Sequence, residues 1–114
     1  MDIKERVVDG VSVLDLSGKI VLGEGDSQIR DRVKDLLADG QKRILLNLGD
    51  VSYIDSAGLG ALISSYTTTK REGGQLKLVN LTKRIQDLLA ITKLITVFDT
   101  YDSEAEAIDS FSSK

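Results

Sequence analysis

Two runs of β-branched and apolar residues open the chain, Ile3 to Val8 and Val11 to Leu16, with Asp9-Gly10 between them. An Asp-Gly pair in that position predicts a hairpin, because a type I′ turn needs positive φ at both central residues. Ser17 to Gly25, with its three glycines, reads as a connection. The period then changes. Ile29, Val33, Leu36 and Leu37 recur at helical spacing, with Asp26 or Ser27 as cap and Asp39-Gly40 as stop. Ile44 to Leu48 is almost continuously apolar, which suits a central, covered strand. Gly49 to Asp55 reads as the lead into a second helix with the stripe Leu59, Leu62, Ile63 and Tyr66. Lys70 and Arg71 close that helix where positive charge complements the dipole, and Gly73-Gly74 ends it. Leu76, Leu78 and Val79 predict a fourth strand. Thr82 caps a short helix carrying Ile85, Leu88 and Leu89, and Val97-Phe98 predicts a short last strand. Ser103 and Glu106 form a capping box ahead of Ile108 and Phe111.

The predicted order is β-β-α-β-α-β-α-β-α. Alternating strands and helices imply parallel pairs joined by right-handed crossovers, and the opening hairpin adds one antiparallel pair. The expected class is α/β, a single domain over residues 1–114 with a mixed, mostly parallel sheet. The chain shows neither an internal repeat nor a linker.

Composition narrows the chemistry. The 114 residues include no Cys, which excludes disulfides, thiol nucleophiles and Cys-ligated metals. They include no His, which excludes a Ser-His-Asp triad and His-ligated metals. Lys and Arg number 15 against 18 Asp and Glu, a net charge of −3, so nucleic acid and anionic membrane are not the expected partners. There is no secretory h-region at the N-terminus and no apolar run of about 18 residues, so the expected location is the cytoplasm. Each helix shows one apolar stripe, and aromatics make up only 4% of the chain; the free protein is therefore expected to be a monomer.

The phosphate-binding loop G-x-x-x-x-G-K-[ST] is absent. Gly23-Glu24-Gly25 and Gly58-Leu59-Gly60 each lack the third glycine of a dinucleotide fingerprint. A phosphoacceptor receiver domain would need paired carboxylates after its first strand, and none stand there. Asp50 and Asp55 alone make a thin Mg²⁺ site. Thr67 to Thr69 read as helix surface, Tyr53 and Tyr101 as packing residues with wet hydroxyls, and Lys83-Arg84 as a solvated pair.

The informative stretch is Val51-Ser52-Tyr53-Ile54-Asp55-Ser56-Ala57-Gly58-Leu59-Gly60. Asp55 or Ser56 can cap the helix that follows. Capping alone does not explain two capping residues side by side, nor two glycines in a first turn, where each costs about 1 kcal/mol relative to Ala. Bare backbone there suits either close approach of another molecule or tight packing on the sheet, and both readings stand.

Asp55-Ser56-Ala57-Gly58-Leu59-Gly60 resembles the signature of the STAS family, the anti-sigma factor antagonists of bacteria. The likeness extends to Leu16-Ser17-Gly18-Lys19-Ile20, to Ile44-Leu45-Leu46-Asn47-Leu48 with Val51-Ser52-Tyr53-Ile54, and to Gly73-Gly74-Gln75-Leu76. It implies a phosphorylation-switched binding module without enzyme activity or cofactor. The family's phosphoacceptor serine maps onto Ser56; the next position, often a second Ser, is Ala57. The resemblance implies an anti-sigma factor serine kinase as partner, bound when Ser56 is unmodified and released when it is phosphorylated, and a serine phosphatase to reverse the switch. The contact surface it implies comprises Asp55, Ser56, Ala57, Gly58, Leu59 and Gly60, with Glu24 and Asp26 from the glycine-rich connection. A rival reading is a STAS-like structural subunit of a transporter or signalling assembly that is not phosphorylated. A nucleotide-binding domain is the third, opposed by the missing phosphate loop.

Overall fold

The computed structural model describes residues 1–112. Five strands and four helices alternate after an initial hairpin: β1 (Asp2–Val8), β2 (Val11–Ile20), α1 (Gly25–Ala38), β3 (Arg43–Ile54), α2 (Ser56–Arg71), β4 (Gln75–Val79), α3 (Lys83–Ile91), β5 (Asp99–Tyr101) and α4 (Glu104–Ser112). The sheet runs β1-β2-β3-β4-β5; β1 and β2 are antiparallel and every other pair is parallel. This is the α/β class and element order expected from the pattern. Asp9 and Gly10 have φ of 51° and 79°, the backbone that the type I′ turn requires.

Alternation along the strands builds two cores. Leu14, Leu16, Ile44, Leu46, Leu76 and Leu78 face one side and pack with Ile29 and Val33 of α1, Leu62 of α2, and Ile85 and Leu89 of α3. Val11, Val13, Leu45 and Val79 face the other and are covered by Ala107, Ile108 and Phe111 of α4. The central strands are therefore buried on both faces, which is why Ile44 to Leu48 is apolar nearly throughout. Each fully buried Leu or Ile contributes about 1.5–3 kcal/mol relative to exposure.

Four boundaries differ from the sequence reading. Ser17 to Ile20 is strand, where a connection was expected, and Gly49 to Ile54 is strand, where a loop was expected. The β2–β3 register shifts between Asp15 and Ser17 and again between Gly18 and Lys19, with Gly18 at φ 99°. These irregularities break the two-residue period: Val51 and Ile54, both buried, stand three apart. The last strand is Asp99–Tyr101 and not Val97-Phe98. Leu94 to Thr96 form a 3₁₀ turn, which leaves Val97 exposed and drops Phe98 into the core edge-on to Tyr66, ring centroids 5.2 Å apart. Finally, α1 begins at Gly25 and is not capped by Asp26 or Ser27, since Glu24 holds the N-cap position without a side-chain bond.

Candidate functional site

The long strands β2 and β3 end side by side at Ile20 and Ile54, and everything singled out in the sequence lies just beyond them. The Asp55 amide donates to the Ile20 carbonyl at 3.3 Å, which closes the β2–β3 ladder. Asp55 is the N-cap of α2, in extended conformation, and its Oδ1 accepts the Gly58 N–H at 2.8 Å. Of the two capping candidates the structure therefore uses Asp55. The second oxygen, Oδ2, accepts the Leu22 N–H at 3.1 Å. These amides, Gly58 first and Leu22 second, hold the carboxyl below its ordinary pKa, because hydrogen bonds to the charged form favour it. One carboxylate thus ties the turn after β2 to the start of α2.

Ser56 is the first residue of α2. It is exposed, and its hydroxyl makes no hydrogen bond among the described residues. Ala57, Leu59 and Gly60 are half-buried and Gly58 is buried. The two glycines have different reasons. A Cβ at Gly58 would lie 2.0 Å from the Ile20 carbonyl oxygen, so this turn must rest directly on the β2 backbone. That settles Gly58 in favour of tight packing. A Cβ at Gly60 would meet nothing within 4 Å, so its bare backbone borders open space.

The connection after β2 is tied to this turn by the Leu22–Asp55 hydrogen bond. Glu24 is exposed, with Oε1 3.4 Å from the N-terminal ammonium. Asp26, expected on the contact surface, is only 6% exposed. Its Oδ1 accepts the Gly23 N–H at 2.9 Å, and Arg30 stands 3.5 Å from Oδ2, so its charge is turned into the loop it shapes. Leu22, which the sequence reading passed over, is 74% exposed at the tip of that loop. No periodicity links it to Asp55; only the bulged ends of β2 and β3 bring the two together.

Other candidates fall away from this rim or take local roles. Thr69 is buried and donates to the Ser65 carbonyl at 2.7 Å. Lys83 and Arg84 are both exposed, as expected of a solvated pair; Lys83 stands 3.1 Å from Asp87, and the Arg84 guanidinium carbon 5.8 Å from the Tyr53 ring centroid. Among the described residues, no three acidic side chains are grouped to hold a metal ion. No helix among them is long and apolar enough to cross a membrane.

The chain can now be set beside known proteins. The family model for the STAS domain matches residues 2–107. The anti-sigma-B factor antagonist of Bacillus subtilis is 41% identical over 63 residues, 55% of this chain and 58% of that one. The anti-sigma-B factor antagonist of Listeria monocytogenes is 29% identical over 110 residues, 93% of this chain and 91% of that one. A crystal structure from Thermotoga maritima, of a protein described as an anti-sigma factor antagonist, superposes with a TM-score of 0.90 at 27% identity, covering 97% of this chain and 95% of its own. With the fold, the element order and a family match across nearly the whole length in agreement, this chain belongs to the STAS-domain family.

Proposed function

We propose that this protein is an anti-sigma factor antagonist whose partner contact is switched by phosphorylation of Ser56. The observation that carries the reading is the division of labour at the start of α2: Asp55 caps the helix, and Ser56 presents a free, exposed hydroxyl beside it. Modification of Ser56 therefore removes no bond that holds the fold. The names of the Bacillus and Listeria relatives support the partner class.

The chemistry is a phosphoryl transfer performed by the partner. The Ser56 hydroxyl oxygen attacks the γ-phosphorus of ATP bound to an anti-sigma factor kinase. The bond to the β-phosphate oxygen breaks, ADP leaves, and the hydroxyl proton passes to the kinase's base. A phosphate brings about −1.5 to −2 charges and takes the net charge from −3 to about −5. It sits at the positive end of α2, so the helix tolerates it. The rim does not remain the same surface, because a dianion now stands next to the Asp55 carboxylate. A partner seated there must desolvate it, and about 3 kcal/mol of such cost weakens binding about a hundredfold. Unmodified protein sequesters the anti-sigma factor in the cytoplasm and frees a sigma factor; a serine phosphatase restores this state.

The test is treatment of wild type and Ser56→Ala with an anti-sigma factor kinase and ATP, followed by phosphosite mapping and binding measurements. Wild type is expected to gain one phosphate at Ser56 and to lose affinity about a hundredfold. Ser56→Ala is expected to bind and stay unmodified, with stability within about 0.5 kcal/mol of wild type because its hydroxyl caps nothing. Equal phosphorylation of both proteins, or undiminished binding by the phosphorylated form, overturns the switch.

A further inference from the structure

At the end of β3, two residues before Ser56 in the chain, a groove of about 590 Å³ opens between β3 and α3. Ile54 and Leu88 form its floor, and Tyr53 and Ile91 stand at its edges, 42% and 80% exposed. Ile91 ends α3 with its side chain in solvent although Leu88 and Leu89 of the same helix turn inward. An exposed aromatic and an exposed β-branched residue flanking one depression form an apolar patch with no occupant within the described chain.

Charge at the groove is equally specific. Lys83 pairs with Asp87 within its own helix, both side chains largely exposed. Arg84 has no such partner: its guanidinium carbon stands 5.8 Å from the Tyr53 ring centroid, and it meets no carboxylate among the described residues. In a chain of net charge −3, this leaves a cation without a carboxylate partner among the described residues at the rim of an apolar groove. At 5.8 Å from the Tyr53 centroid the guanidinium is within reach of the ring face, and its planar donors stay open to a carboxylate on a partner.

We propose that this groove docks an amphipathic segment of the protein partner, with apolar side chains entering between Tyr53 and Ile91 and a carboxylate pairing with Arg84. The proposal rests on the reading of Ser56 as a switch and extends its contact surface to a second anchor. Continuity supports it: Ile54 lines the groove, Asp55 follows it, and Ser56 is the next residue. A partner that covers the Ser56 hydroxyl from the β3 side lies over Tyr53. The groove contributes affinity in both states of the switch, and the phosphate acts against it only through the adjoining rim.

The experiment uses the full chain and, without ATP, the kinase shown to phosphorylate Ser56. Affinity is measured for wild type, Ile91→Ser, Arg84→Glu, Arg84→Lys and a control, Val7→Ser, which alters an exposed apolar residue on β1. Ile91→Ser and Arg84→Glu are expected to weaken binding at least tenfold each, and Arg84→Lys less than Arg84→Glu. Val7→Ser is expected to leave binding unchanged. Added salt is expected to weaken wild type more than Arg84→Glu. Thermal melting of each variant confirms folding, and hydrogen exchange on the complex is expected to show protection at Ile91 and its neighbours. Binding by Ile91→Ser and Arg84→Glu equal to wild type overturns the groove and leaves the Ser56 switch standing. Failure of wild type to bind this kinase overturns the groove and, with it, the partner contact on which the Ser56 switch rests.

Discussion

The N–H of Leu22 donates to the carboxylate of Asp55, 33 positions away, and this single bond joins the loop after β2 to the cap of α2. The same carboxylate accepts the Gly58 N–H, so one side chain links loop, cap and first turn. Asp55→Ala is expected to lower the thermal midpoint and to speed amide exchange at Leu22 and Gly58 more than at β4. Unchanged exchange at Leu22 in that variant would show that the loop is held by other means.

Acid is expected to weaken the fold in a defined window. Arg6 on β1 donates to Asp15 at 2.6 and 3.0 Å and to Glu104 of α4, and Asn47 also donates to Asp15. The Arg6 hydrogen bonds hold both carboxyls below their ordinary values of 3.8 and 4.5. A depressed folded-state pKa contributes stability that is present above the unfolded value and is lost as pH falls through the folded one. Stability should therefore be flat at neutral pH and decline below about pH 4.5. Solvent screens the network, since the Arg6 side chain is 40% exposed. Arg6→Met is expected to cost about 1 kcal/mol at pH 7 and less at pH 3. Urea titrations at the two pH values measure this, and an equal cost at both removes the ion pairs from the explanation.

Gly58 and Gly60 should respond to the same substitution with opposite signs. At Gly58 the added Cβ collides with the Ile20 carbonyl, which belongs to the backbone and cannot rotate aside. Gly58→Ala is expected to cost about 3 kcal/mol, the upper end for overpacking. At Gly60 the Cβ enters open space in a helix, and Gly60→Ala should stabilise by about 0.5–1 kcal/mol. Differential scanning calorimetry on both variants should place their midpoints on either side of wild type.

The sequence disclosed what local periodicity encodes. Leu59, Leu62, Ile63 and Tyr66 marked α2, the Asp9-Gly10 pair marked the hairpin, and Asp55-Ser56 marked the rim. Hidden were the places where one strand's irregularity depends on its neighbour. Ser17 to Ile20 and Gly49 to Ile54 look like loops because their bulged pairing abolishes alternation. Asp99–Tyr101 carries no apolar alternation at all and is a strand only because β4 offers it an edge. At the site, Asp55 and Ser56 could be read but not assigned between capping and chemistry. Leu22 and Arg84 could not be read, since their importance arises from residues more than 30 positions away.

The second core, under α4, depends on a lysine. Lys77 lies on β4 at 8% exposure, on the sheet face that α4 covers. Its Nζ donates to the Ser110 hydroxyl at 2.9 Å and to the Ser110 carbonyl at 3.2 Å, near the end of α4, where a cation also complements the dipole. The ammonium sits 4.7 Å from the Phe111 ring centroid and 5.6 Å from that of Tyr101. Two contributions can be separated here. The stem packs against apolar neighbours, and the charge is offset by neutral oxygens and ring faces. Lys77→Ala removes both and is expected to cost about 2–4 kcal/mol, with earlier proteolytic cleavage of α4. Lys77→Met keeps the stem and removes a charge that was expensive to bury, so its cost should be under about 1 kcal/mol. Ser110→Ala leaves the ammonium buried with one acceptor fewer and should cost about 1–3 kcal/mol, more than Lys77→Met although fewer atoms are removed. If urea midpoints instead rank Lys77→Met with Lys77→Ala, the hydrogen bonds to Ser110 hold α4 in place and the packing of the stem does not.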